Sequence, residues 1–338
     1  MNPKLLLKRG GLLTAANWPL VAIQFVEQTT FQMLLAVPIV GAAVLVAVLL
    51  GGDLSNLLQG GMREALTTIA DALVAQPLAL SAFITAFVIA LLGGSALTFL
   101  VKGGIIDVMR SANDRADTIE HRPLTLTILA DAGAFSIPRF INGCSRLFRP
   151  FLRLGLALMV AYALTGAGYL AFIVYGYRAA GEGVLFVLWT FVAFAATLGL
   201  FLWITAINLV YLLMQIAIAA GHATLGDAAR EIGRFVRAEI RELSGIFLIV
   251  FGIVVVTWLV SALAWSGVGL IAFVPLVGLA VFPLQLAALV LRGLMFESIG
   301  LAAMGAYVTL YQRYTEQEAA RMGRTERVQS DAGFHPAH

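Results

Sequence analysis

The sequence predicts an all-α fold: a polytopic transmembrane helical bundle of six spans with cytoplasmic interfacial amphipathic helices. Three observations carry this. The chain has too little charge for a water-soluble protein, apolar runs of bilayer length recur along it, and its basic residues collect in alternate connecting segments. Of its 338 residues, 60% are hydrophobic and 12% are Asp, Glu, Lys or Arg. Soluble chains carry about 25% charged residues, so lipid must solvate most of this one. A single cysteine, Cys144, excludes an intrachain disulfide and a multi-cysteine metal site. The net charge of only +3 speaks against a nucleic-acid partner.

A bilayer core about 30 Å thick takes roughly 20 apolar residues as a helix. After a basic start, Trp18-Pro19 marks an elbow between an interfacial helix and the first span. The apolar run begins only at residue 31 and no A-x-A site follows it, so the N-terminus reads as retained and not as a signal peptide. Residues 31–50, 78–101, 154–175, 184–207 and 244–265 each qualify as a span. The sixth region, 267–312, is too long for one span and is interrupted by Arg292 and Glu297. If its span is 268–291, Arg292 lies at the cytoplasmic border. If it is 283–312, both ionisable groups lie at membrane depth. Prolines at 275 and 283 favour the second division.

Orientation follows from the basic residues. Nineteen of the 22 Lys and Arg fall at the N-terminus, in 102–153, in 221–243 and in 313–338. Arg63, Arg178 and Arg292 are the remainder. The positive-inside rule places the four basic segments and both termini in the cytoplasm, which requires an even number of spans. Tyr175, Tyr177, Trp189 and Trp265 then fall at the outer helix ends, as an interfacial aromatic belt would. The expected location is a bacterial cytoplasmic (inner) membrane.

Two basic segments resemble each other: Leu129-Ala130-Asp131-Ala132 echoes Leu225-Gly226-Asp227-Ala228, and Ile137-Pro138-Arg139-Phe140 echoes Ile232-Gly233-Arg234-Phe235. The implied unit is an interfacial helix followed by a two-span hairpin. It divides a single membrane domain, 1–312, into 9–128, 129–224 and 225–312, with a partly disordered cytoplasmic tail at 313–338. In the last unit, Ile232, Phe235, Val236, Ile240 and Leu243 share one helical face, and Arg230, Arg234, Arg237 and Arg241 share another. Such a helix can lie in the headgroup layer with its arginines on lipid phosphates, or serve as an elbow that orients the next span.

Ionisable groups inside a membrane need a partner or a water-filled cavity. Arg292 and Glu297 are therefore a candidate intramembrane polar site, with Asn208 and Gln215 on the fourth span as candidate partners. Thr205, Asn208, Tyr211 and Gln215 share a face; hydrogen bonding between helices is the structural reading of that face. The small residues Gly300, Ala302, Ala303, Gly305 and Ala306 permit close helix contact. There is no phosphate-binding loop, H-E-x-x-H or G-x-S-x-G motif. No catalytic residue, cofactor or metal is implied.

The cytoplasmic amphipathic segments 129–153 and 225–243, and a last helix carrying Ala302-Ala303-Met304-Gly305-Ala306-Tyr307 and then Tyr311 and Tyr314, resemble a group of bacterial six-span proteins. Those proteins are related to the membrane domain of glycerophosphodiester phosphodiesterase. The family's aspartate after the final tyrosine is absent here. With no counterpart of the soluble esterase domain in these residues, the resemblance implies no enzyme. The expected role is non-enzymatic, binding membrane lipids, a protein partner or a second copy of the chain. The alternative is a small-solute or lipid transporter built from repeated hairpins.

Overall fold

The computed structural model describes residues 2–50, 75–123, 125–181, 183–221, 224–272 and 277–332. Among these, the chain forms nine α-helices and no strand. They are α1 (Pro3–Ala16), α2 (Pro19–Leu50), α3 (Pro77–Arg115), α4 (Leu126–Asp131), α5 (Ile137–Ala180), α6 (Val184–Ala219), α7 (Leu225–Ala238), α8 (Ile240–Ala272) and α9 (Val277–Ala332), with a 3₁₀ turn at Ile119–His121. Six helices are long and apolar enough to cross a membrane: α2, α3, α5, α6, α8 and α9.

Among the described residues, the α-helices run short, long, long three times. Each short helix starts behind a side-chain cap. Asn2 Oδ1 accepts from the Lys4 N–H at 3.1 Å, Thr125 Oγ1 from Ile128 at 3.4 Å, and Thr224 Oγ1 from Asp227 at 3.1 Å, each satisfying one of the helix's free donors. Each short helix ends in a break before the first long helix: at Asn17–Trp18, at 132–136 and at Glu239. The similar sequences sit differently within these units. Leu129–Ala132 closes α4, whereas Leu225–Ala228 opens α7. The arginine-rich stretch 137–153 is not a separate interfacial helix but the first part of α5, which passes through Pro150 without ending.

Two further expectations need correction. Helix α9 runs unbroken through Pro283, so that proline does not interrupt the last region as expected, and Arg292 and Glu297 lie on one continuous helix. Residues 313–332, expected as part of a tail, continue the same helix.

The chain divides into two compact units, Met1–Ala22 with Gly103–His338, and Ile23–Lys102. In the second, the Phe31 ring fills the space beside Gly94, and the Thr98 hydroxyl donates to the Glu27 carboxylate. In the first, most buried side chains lie in or directly beside the segments rich in Lys and Arg. Leu6 and Leu13 of α1, Ile105 and Met109 of α3, Phe151 of α5, Leu213 of α6, Phe235 of α7 and Tyr311 of α9 are at most 1% exposed. By contrast, none of the most apolar window of α5 is buried, and only 6% of those of α6 and α8. Helix length explains this distribution. The 44 residues of α5 extend about 66 Å, twice the hydrocarbon thickness. Outside the lipid, apolar groups gain by leaving water; inside it, helix association has no hydrophobic driving force.

At the centre of the first unit α1 packs on α9, α8, α4 and the 3₁₀ turn. It is therefore a core element of this unit. A Cβ at Gly10 would run into the Ala302 carbonyl and stand 2.7 Å from the Ala306 nitrogen. The expected small-residue patch of α9 is thus the seat of α1.

Candidate functional site

Helix α7 has a cap, an acidic residue in its first turn and Arg237 in its last, all favourable to its dipole. Ala228, Ile232 and Phe235 are buried. Phe235 lies edge-on to Tyr311 and Tyr314 of α9, each with ring centroids 5.3 Å away. The apolar face of α7 is therefore spent inside the protein. Ile240, expected on that face, begins α8 and is exposed.

The arginine face points outward. Arg230, Arg234, Arg237 and Arg241 are all exposed, but they are not equivalent. Arg234 is tied to Glu231 at 2.5 Å and to Glu318 at 3.4 Å. Arg230 reaches Asp227 at 3.5 Å. Arg237 and Arg241 have no carboxylate within ion-pair distance among the described residues. Between them, burial together with the Glu242 charge pushes the Glu239 carboxyl up. Arg149 and Arg153 of α5 extend the exposed basic surface. They stand on one stripe with Leu156, Val160 and Leu164, which are 47%, 59% and 71% exposed. A guanidinium pair thus heads an uncovered apolar face on a continuous helix. The sequence count used these arginines only for topology.

A second polar cluster is buried. Arg9 NH1 meets Glu120 Oε2 at 2.6 Å, its Nε donates to Asn113 Oδ1 at 2.7 Å, and NH1 also donates to the Asp117 carbonyl. Thr309 Oγ1 donates to the same Asn113 oxygen at 2.9 Å, Asn113 donates to Gln312 Oε1, and Arg313 lies 3.4 Å from Glu120. The Arg9 and Glu120 side chains are 7% and 1% exposed. Burial raises the Glu120 pKa, but its backbone hydrogen bond, the Arg9 hydrogen bond and the Arg9 and Arg313 charges outweigh that and hold it below the ordinary carboxylate value. The cluster fastens α1, the end of α3, the 3₁₀ turn and α9 together. The signal was present in the sequence: Leu6, Arg9, Gly10 and Leu13 form one face at i, i+3, i+4 and i+7, with the arginine among apolar residues. A third polar centre, Asn17, joins two helix breaks. Its Oδ1 accepts from the Ala134 and Phe135 N–H groups at 2.8 and 2.9 Å, and its amide donates to the Leu13 carbonyl at 2.9 Å.

The four residues proposed as an intramembrane polar site lie on α9 and α6. Arg292 stacks over Phe296, one turn along its own helix, with 5.7 Å from Cζ to the ring centroid. Glu297 is half-buried on the same helix. Asn208 accepts from the Tyr162 hydroxyl at 2.5 Å. That bond belongs to a ladder between α5 and α6 that includes Trp203 to Thr165 at 3.3 Å and Tyr169 with Thr197 at 2.6 Å. Gln215 is 1% exposed. The polar face of α6 therefore serves helix pairing at Asn208. Tyr177, Phe172 and Trp189 cluster at the other end of the same hairpin, with centroids 4.8 to 6.2 Å apart.

Two grooves open on the surface of the first unit. One, of 570 Å³, lies between the α1–α2 elbow and α9 and is lined by Thr14, Trp18, Leu294 and Ser298 among others. The other, of 490 Å³, lies between α6 and α8 and is lined by Phe201, Phe247, Phe251, Val254 and Trp258 among others. Both are overwhelmingly apolar. Among the described residues no three His, Cys, Asp or Glu side chains converge as metal ligands would. No family model, curated protein or solved structure matches this chain.

Proposed function

We propose that this chain is a non-enzymatic integral protein of a bacterial cytoplasmic membrane, with both termini in the cytoplasm, that binds anionic phospholipid. The observation that carries this reading is the set of outward-facing arginines, Arg230 and Arg237 on α7 with Arg149, Arg153 and Arg241 on helices that continue into exposed apolar faces. Guanidinium groups match phosphate oxygens in geometry and charge, and the adjoining aliphatic faces match the tails. The kinship with the membrane domains of glycerophosphodiester phosphodiesterases is proposed alongside it. It is supported by the use that α9 makes of its small residues and tyrosines. A lipid or small-solute transporter is the second reading, favoured by the threefold recurrence of a capped short helix and two long ones.

Orientation is tested by reporter fusions after His338 and within residues 53–76. The C-terminal fusion should report cytoplasm and the internal one periplasm; a periplasmic C-terminus ends the six-span arrangement. Lipid binding is tested by native mass spectrometry after mild extraction. Anionic phospholipid should be retained over zwitterionic lipid. Substituting Arg230, Arg237 and Arg241 by glutamine should lower that preference about fivefold per arginine, since each charge contributes about 1 kcal/mol beside an anionic leaflet. Arg234→Gln should act instead on stability, because its partners are Glu231 and Glu318. An unchanged lipid profile in the triple variant would remove lipid recognition from this surface.

A further inference from the structure

We propose that the outward face of α5 seats one anionic phospholipid of the cytoplasmic leaflet, with Arg149 and Arg153 on its phosphate and an acyl chain along Leu156, Val160 and Leu164. This rests on the lipid-binding reading above and gives it a location on one helix. At about 100° per residue those five positions fall within an arc of about 80°, and all five are exposed. Gly143, Cys144, Leu147, Phe151, Leu154 and Gly155 occupy the opposite face of the same helix and are buried. Charge and apolar surface therefore share one uncovered stripe on a continuous helix. Arg149 and Arg153 stand one turn apart, about 6 Å, within a headgroup layer of about 5–8 Å. From Arg153 to Leu164 the stripe runs eleven residues, about 16 Å, against about 15 Å for one leaflet's hydrocarbon.

Charge selects among the occupants such a stripe could take. Neither arginine has a carboxylate within ion-pair distance among the described residues; one turn back, Arg146 takes Asp107. A second copy of the chain, docked through this stripe by two-fold symmetry, would bring four guanidinium groups to one level with no acid between them. That opposes association. A zwitterionic headgroup supplies a phosphate but adds a cation that no carboxylate on the stripe answers. An anionic headgroup above an extended tail leaves neither mismatch. Guanidinium groups pair with its phosphate oxygens in geometry and charge, and aliphatic side chains meet hydrocarbon.

Photocrosslinking reads the stripe directly. In the full chain, p-benzoylphenylalanine replaces Val160 or, in a second protein, Val210 of α6. The hydrogen bonds of Tyr162 with Asn208, Thr165 with Trp203 and Tyr169 with Thr197 set Val210 level with Val160. Val210 is exposed too, on a helix with no Lys or Arg. Each protein is irradiated in phosphatidylcholine nanodiscs holding a minority of phosphatidylglycerol, and its adducts are identified by mass spectrometry. At Val160 the share of phosphatidylglycerol adducts should exceed its mole fraction at least about fivefold; at Val210 it should follow the mole fraction. The excess should vanish with Arg149→Gln/Arg153→Gln and return with Arg149→Lys/Arg153→Lys. No excess at Val160 overturns the assignment, as does an equal excess at Val210 or one that survives both glutamines. Adducts with protein in place of lipid at Val160 overturn it too, by showing that a second copy covers the stripe. If the chain still retains anionic lipid in native mass spectrometry in any of those cases, the α5 assignment fails while the lipid-binding reading stands; if it retains none, both fail.

Discussion

An Arg9→Met variant should lose about 3–5 kcal/mol of stability, measured as unfolding of the purified protein in detergent. Arg9 reaches Glu120, Asn113 and the Asp117 carbonyl from a position 7% exposed. Deleting one partner of a buried pair leaves the other charge desolvated and uncompensated, which costs far more than the pair itself contributes. Glu120→Leu should cost a comparable amount by stranding Arg9. The double variant Arg9→Met/Glu120→Leu should then recover at least half of the summed loss, because neither charge remains. Strict additivity would show that the two groups act independently.

The same pair sets an acid limit. The folded Glu120 carboxyl titrates below its ordinary value of 4.5, so its contribution is fully present above that value. It is lost as pH falls through the lower folded one. Stability of the wild type should show no Glu120-dependent change between pH 7 and 5. It should then fall in acid by more than that of Glu120→Gln, which has already lost the contribution.

Gly10 and Gly11 should respond to alanine with opposite signs. At Gly10 the added methyl meets backbone of α9 at Ala302 and Ala306, which no rotamer change can relieve. Gly10→Ala should cost about 1–3 kcal/mol, the range of an overpacked core, and Gly10→Leu should abolish accumulation of the folded protein. A Cβ at Gly11 meets nothing within 4 Å. Gly11→Ala should therefore stabilise by about 0.5–1 kcal/mol through the backbone entropy of the unfolded chain. Equal effects at the two positions would show that α1 does not dock on α9 as described.

What was legible in the sequence follows the reach of each physical signal. Hydropathy locates spans because a bilayer imposes a length, and all six regions became helices able to cross one. It locates ends poorly, because an apolar helix emerging from lipid can continue as a packed helix in water. That is why 137–153 fused with α5 and why 313–332 extended α9. The amphipathic periodicity of α7 correctly separated Ile232 and Phe235 from its arginines. Periodicity reports that a face is covered, however, and not by what. The cover proved to be Tyr311 and Tyr314, 76 and more residues away in sequence. The Arg9 cluster escaped for a related reason. Its partners, Glu120 and Asn113, are more than 100 residues away, and a basic residue near an N-terminus is first read as a topology signal. Arg292 and Glu297 were found by their rarity, but rarity does not give direction, and the Arg292 guanidinium turned to Phe296 on its own helix.

The concentration of packing at the basic helix ends bears on how such a protein meets membranes of different thickness. A bundle knitted through its hydrocarbon-facing length must deform the bilayer or itself when the two do not match, at a fraction of a kcal/mol per Å. In the first unit the most apolar parts of α5, α6 and α8 carry few buried side chains, so α8 and the hydrogen-bonded α5–α6 pair can tilt about an anchored base without disturbing Phe151, Leu213 or Ile246. Mismatch is then absorbed as a change of helix slope about that base.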